Sequence, residues 1–309
     1  QSLFFTAFAL LVQLIGFFNS PSLAGFPHRA EKTLAKGQLQ REKNQTAIGD
    51  NGARWIATAH EAIDGIGSEK NYLSQADQKS MQENDLIKRN VETVRGRIEA
   101  ACRAAGRSPR EVELCAVTKY AGAEQMRALL EAGVSLIGEN RVQDAAKKIR
   151  DLGRRDFKFH MIGHLQSNKA ADAVGLFDAV QSVDSLKLAR ILDAEAAKQN
   201  RTLEAYLQVN SSGESSKSGV APGDFMDLAN RILECEHLRL TGVMTIGPLT
   251  QNQAAVRDAF SLTKSLYEEL RATSPEVVNL SMGMSGDLEI AIARGATQVR
   301  VGSALFEGV

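Results

Sequence analysis

The run VELCAVTKYAG, residues 112–122, closes an apolar stretch on a lysine. Val112, Leu114, Ala116 and Val117 have the make-up of a buried strand, and Lys119 stands at its end. A lysine there has two uses. It can lay its methylenes over the apolar surface and carry its ammonium to water. Or partial desolvation lowers its pKa, and the neutral amine attacks a carbonyl. Two other stretches bear on the choice. SMGMSGD, residues 281–287, runs straight into a helical pattern, so the amides of Ser285 and Gly286 fall near a helix N-terminus. VGS places Gly302 and Ser303 at the end of a late strand. Amides, glycines and small hydroxyls suit a phosphate. The same residues also serve as ordinary turns, with Ser285 and Asp287 as caps. Arg300 lies inside that late strand, in QVRVGS. Alternation puts it on the face opposite Val299 and Val301, either toward an outer helix layer or into an interior where its charge must be matched.

These groups need elements to position them. From Met81 onward strands and helices alternate. A first helix carries Ile87, Val91, Val94 and Ile98 and closes at Gly106, with Pro109 beyond. Strands are expected in VELCAV, VSLIGEN, FKFHMIG, DAVQSV, LEAYLQVN, LRLTGVMTI, EVVNLSMG and TQVRVGSALF, with helices between them. Such alternation implies parallel strands and right-handed crossovers. The number of repeats favours a (β/α)8 TIM-type barrel over an open doubly wound sheet, with the leading helix filling the place of a missing last one. In such barrels chemistry gathers at the C-terminal strand ends. There Lys119, the GEN of residues 138–140, the loop carrying His164, the SSKSG loop with Lys217, and the last two loops all meet. An Arg facing inward near a lysine and a phosphate site would suit a pyridine nitrogen, which is how proteins hold pyridoxal 5'-phosphate.

Composition narrows the classes. The 309 residues carry 37 Lys plus Arg and 37 Asp plus Glu, so no global charge draws the chain to nucleic acid or an acidic membrane. Three scattered cysteines without a CxxC argue against a disulfide framework or a zinc site, and for a reducing, cytoplasmic compartment. Residues 3–18 are uncharged. They are short for a membrane span and close to a signal-peptide core, with SLAG at 22–25 as a cleavage-like site. Residues 25–80 lack a sustained period and read as linker or disorder. The division expected is residues 1–80 as an apolar segment with a disordered extension, and 81–309 as the barrel, with Met81 as a natural start. A targeting role for the first segment is the alternative. No membrane segment is expected in 81–309.

In order and spacing, AVTKY, GENRVQDAAKK, FHMIGHLQSNK, SSGESSKSGV, GVMTI and LSMGMSGDLEIAIARGATQVRVGSALF resemble the pyridoxal-phosphate homeostasis protein family, over residues 81–309. That family's fold is similar to the N-terminal barrel of alanine racemase. The resemblance implies that Lys119 holds pyridoxal 5'-phosphate as a Schiff base and that Ser285, Gly302 and Ser303 bind its phosphate. It implies Arg300 at the pyridine nitrogen, Asn140 near the ring and Met282 at the edge of the site. His164 either touches the cofactor or is packed or solvated. Lys217 is an anion contact or a solvated loop charge. Arg141 and Asp144 depart from the family's usual aromatic residue and Glu, and Ser303 from its usual Thr. The function implied is intracellular vitamin B6 homeostasis, with transfer of the cofactor to apo-enzymes, by a monomer that is not an enzyme. A racemase-like enzyme, and a phosphate-binding barrel enzyme in which Lys119 is structural, are the alternatives. Against the racemase, nothing follows the eighth strand and no second acid or base is identified.

Overall fold

Parallel strands β1 (Glu113–Val117), β2 (Leu136–Glu139), β3 (Lys158–Met161), β4 (Ala179–Val183), β5 (Leu203–Gln208), β6 (Leu238–Met244), β7 (Asn279–Ser281) and β8 (Gln298–Val301) form a closed barrel in chain order. The computed structural model describes residues 75–154, 156–214 and 217–309. The expectations for residues 1–74 lie outside the described residues. The expected (β/α)8 barrel is what the chain forms, and β1 closes on β8 with Cys115 beside Arg300 and Ala116 beside Val301.

Helix α1 (Gln75–Ala104) precedes the barrel. The crossovers carry α2 (Ala123–Glu131), α3 (Val142–Leu152), α4 (Ala170–Leu176), α5 (Leu186–Lys198), α6 (Phe225–Leu233), α7 (Gln253–Thr273) and α8 (Leu288–Ala293). α1 buries Ile87, Val91, Val94 and Ile98 against α2 and α8, and so fills the gap that closure leaves between them. Its described part reaches back to Gln75, six residues before Met81. Met81 is exposed, and polar, Gly-free and Pro-free residues can prolong a helix that packing has already nucleated.

Several strands are shorter than their apolar runs. EVVNLSMG yields only Asn279–Ser281, which meets β8 through the single pair Ser281 and Gln298. Pairing ends where the chain must leave the sheet to feed a helix. The apolar residues beyond, such as Met282 and Leu305, are buried by helix packing instead.

The main core lies between barrel and helices. Inside the barrel is a separate small cluster of Ala179, Tyr206 and Met244. Gly242 sits under the Tyr206 ring: a Cβ there would come 2.8 Å from Tyr206 Cγ and 2.9 Å from Asn279 Cβ. Gly242→Ala is therefore expected to lower the unfolding free energy by about 1–3 kcal/mol, read from the denaturant midpoint.

Candidate functional site

Lys119 extends from the end of β1 into a cavity of about 540 Å³, which it lines with Tyr120, Gln125, Ser285, Arg300, Gly302 and Ser303. Its side chain is exposed, with Nζ 5.0 Å from the centre of the Tyr120 ring. The partial desolvation expected at a strand end is thus not supplied by the protein alone, because the strand ends at an open mouth. The backbone just before Lys119 is held firmly. Lys148, on α3, donates from Nζ to the Thr118 carbonyl and to Glu139 Oε1, each at 2.5 Å, and Thr118 Oγ1 donates to the same carboxylate oxygen. Glu139 is fully buried, so this pair lies in a medium where a missing partner would be costly.

Arg300 points into the barrel. Its Nη1 donates to Ser281 Oγ at 2.7 Å and its Nη2 to the Thr245 carbonyl at 2.8 Å. Burial pulls its pKa down to about 10, against the opposing fields of Cys115 and Asp287, so it stays a cation at neutral pH. A polar chain continues below it. Ser281 Oγ donates to Gln181 Oε1 at 2.7 Å. Gln181 Nε2 lies 2.6 Å from Gln298 Oε1 and 2.8 Å from His160 Nδ1. With that amide as donor, Nδ1 of His160 is an acceptor and the ring is neutral. Burial, the largest influence, drives the His160 pKa down to about 4.

The other wall is built by the loops after β7 and β8. Gly283 turns the chain at φ +95°, where a Cβ would come 2.5 Å from that of Ala291, and Ser285 and Gly286 follow. The Ala304 N–H donates to Ser285 Oγ at 3.4 Å, which ties the two loops together. Asp287 precedes α8, yet its carboxylate accepts from the Met284 N–H at 2.6 Å and makes no cap into the helix. Burial pushes its carboxyl pKa up, opposed by that bond and by Arg300.

One cavity thus gathers Lys119, Ser285, Arg300, Gly302 and Ser303. Asn140 and His164 line a neighbouring cavity of about 680 Å³, with Arg141, Asp144 and Lys169. Met282 is not at the edge of the site. It is fully buried in the layer between barrel and helices, and Met284 lines the cavity instead, because alternation from inward Ser281 turns Met282 outward. Lys217 braces its own loop, bonding Glu214 Oε1 at 2.8 Å and the Gly247 carbonyl at 2.9 Å. Tyr120 and Gln125 were missed, as were His160, Gln181, Ser281 and Gln298 inside the barrel. The signal for three of the last four was present as polar residues sharing one phase of a strand: His160 with Lys158, Ser281 with Asn279, and Gln298 with Arg300.

A closed parallel barrel with a lysine at the mouth of β1 and a glycine- and serine-built cup after β7 and β8 defines a class, the alanine-racemase-type barrel. Residues 85–308 match the family model described as alanine racemase, N-terminal domain. The pyridoxal phosphate homeostasis protein of Pseudomonas aeruginosa is 42% identical over 220 residues, 71% of this chain and 94% of that one. A crystal structure of an unknown protein from Bifidobacterium adolescentis superposes with a TM-score of 0.70 at 36% identity, over 72% of this chain and 96% of its own. PipY of Synechococcus elongatus, solved with pyridoxal phosphate bound, superposes with a TM-score of 0.63 at 34% identity, over 71% of this chain and 99% of its own. The chain belongs to the pyridoxal phosphate homeostasis protein family of these barrels.

His160 makes stability depend on pH. The folded chain leaves it neutral down to about pH 4, whereas the unfolded chain protonates it near 6.5. Between those values the unfolded state binds more protons, so stability rises with pH through this window. Acidification across it should cost on the order of 3 kcal/mol. His160→Gln, which keeps an acceptor for Gln181, should flatten this part of the stability profile measured by chemical denaturation.

Proposed function

We propose that the barrel binds pyridoxal 5'-phosphate at the mouth of β1 and acts in vitamin B6 homeostasis, holding the cofactor rather than catalysing with it. The observation that carries this reading is the meeting of Lys119, Arg300, Ser285, Gly302 and Ser303 in one cavity. The residues suit the cofactor. Arg300 is a fixed cation with a mapped donor set. The Gly286 N–H has no acceptor among the described residues, and Ser285 and Ser303 add hydroxyls in the same cavity. When bound, the cofactor supplies an aldehyde able to bond covalently to an amine. Lys119 supplies that amine, free to reach it because its side chain is exposed. Ser285, Gly302, Ser303 and the loop amides take the phosphate. Arg300 would stand toward the pyridine nitrogen of the bound cofactor as a donor, which would keep that nitrogen unprotonated and weaken the ring as an electron sink. This favours a carrier over a racemase, in keeping with the names of the relatives.

A carrier of this kind buffers free cofactor and passes it to apo-enzymes, as a monomer. Among the described residues no helix is long and apolar enough to cross a membrane. Three free cysteines, two of them buried, accord with work in the reducing cytoplasm.

Lys119→Ala should abolish the visible absorption of the bound cofactor and change unfolding stability by less than about 0.5 kcal/mol, as for other exposed positions. Borohydride reduction of the loaded wild-type protein, followed by peptide mapping, should find the pyridoxyl group on Lys119. A label on Lys169 or Lys217 would move the site elsewhere, and no label on any lysine would leave Lys119 a structural residue.

A further inference from the structure

The anion cup is braced from outside the barrel. Arg97, on α1, donates from Nη2 to the Ser285 carbonyl at 2.9 Å. The same guanidinium grips Glu289, in the first turn of α8, through Nε at 2.7 Å and Nη2 at 3.0 Å. Two turns earlier on α1, Asn90 donates from Nδ2 to the carbonyls of Leu305 and Glu307 at 3.2 and 3.0 Å. One helix therefore holds both loops of the cup, and its own position is fixed by the buried face of Ile87, Val91, Val94 and Ile98.

The peptide plane carries the consequence. In a trans peptide the carbonyl of one residue and the N–H of the next point in opposite directions. Drawing the Ser285 carbonyl toward α1 turns the Gly286 N–H away from α1, to the side of the cavity that Ser285 and Gly286 line with Lys119. That N–H has no acceptor among the described residues. Gly286 itself lines the cavity and is uncrowded: a Cβ built on it would meet nothing within 4 Å. The Arg97–Glu289 pair is partly exposed and adds little to stability as an ion pair. Its fork geometry fixes direction, which a lysine could not do.

We propose that Arg97 is a positioning residue that sets the affinity of the cup for a phosphate group by aiming the Gly286 amide. The inference rests on reading the cavity as the pyridoxal 5'-phosphate site. Its test is the ratio of affinities for pyridoxal 5'-phosphate and for pyridoxal, which shares the aldehyde and ring and lacks the phosphate. Both are measured on the full chain by absorbance titration. Amide exchange at Gly286 in the cofactor-free protein, with and without inorganic phosphate, gives a second readout.

Arg97→Met should weaken pyridoxal 5'-phosphate binding by roughly tenfold to a hundredfold, the range for losing a charge-assisted hydrogen bond. It should leave pyridoxal binding unchanged and remove the slowing of Gly286 exchange by phosphate. Arg97→Lys, with a charge but no fork, should fall between the two, and it decides the matter if the methionine variant does not fold. An unchanged ratio, or an equal loss for both ligands, would overturn the inference. If the wild-type protein itself binds the two ligands equally, the phosphate reading of the cavity fails, and this inference fails with it.

Discussion

Closure of the barrel between β1 and β8 is the constraint on which the site depends. The register sets Cys115 beside Arg300 and Ala116 beside Val301. Continuing both strands outward brings Lys119 to the mouth beside Gly302 and Ser303, residues from the opposite end of the folded chain. A slip of one residue would turn Arg300 out of the interior and Val299 into it, since successive side chains alternate across the sheet. The amine, the buried cation and the loop cup share one cavity only in the observed register.

That register places a guanidinium where water is scarce, and the interior is built around it. Desolvating a cation is unfavourable unless its donors are matched. Ser281 and the Thr245 carbonyl match two of them, and Gln181, Gln298 and His160 extend the network downward. Ser281, Gln181, Gln298 and His160 are neutral, since burial keeps His160 unprotonated, and the chain ends where the Gln298 amide donates to the Glu113 carboxylate at 3.4 Å. A ligand atom able to accept a hydrogen bond at the mouth would therefore meet a positive group held in place by neutral partners, with the Asp287 carboxylate acting on it from outside those hydrogen bonds.

Around this centre the supporting contacts come from the helix layer. Lys148 and Glu139 fix the peptide at Thr118 from behind β1 and β2, and α1 fixes the two cup loops through Arg97 and Asn90. Short loops over an open mouth have few apolar contacts of their own. Their geometry is set by side chains reaching from rigid elements. The leading helix therefore fills a gap in the helix ring and also holds the site.

The barrel was legible from the order of apolar runs and glycine stops, since hydrophobic period and turn chemistry are local properties of the chain. Lys119, Ser285, Gly302 and Ser303, which share one cavity with Arg300, stand beyond strand ends in recognisable runs, and Arg300 stands inside the last strand. Strand lengths were overestimated, as in EVVNLSMG, because an apolar residue reads alike whether a ladder or a helix buries it. Met282, set at the edge of the site by the resemblance alone, is fully buried between barrel and helices, and the phase of a three-residue strand that decides this is not visible in the sequence. Which way Arg300 points, which cavity takes Asn140 and His164, and what holds the Ser285 carbonyl were decided only by tertiary structure. Each depends on partners far along the chain, such as Ser281, Thr245 and Arg97, and no local pattern records a contact made across a closed barrel.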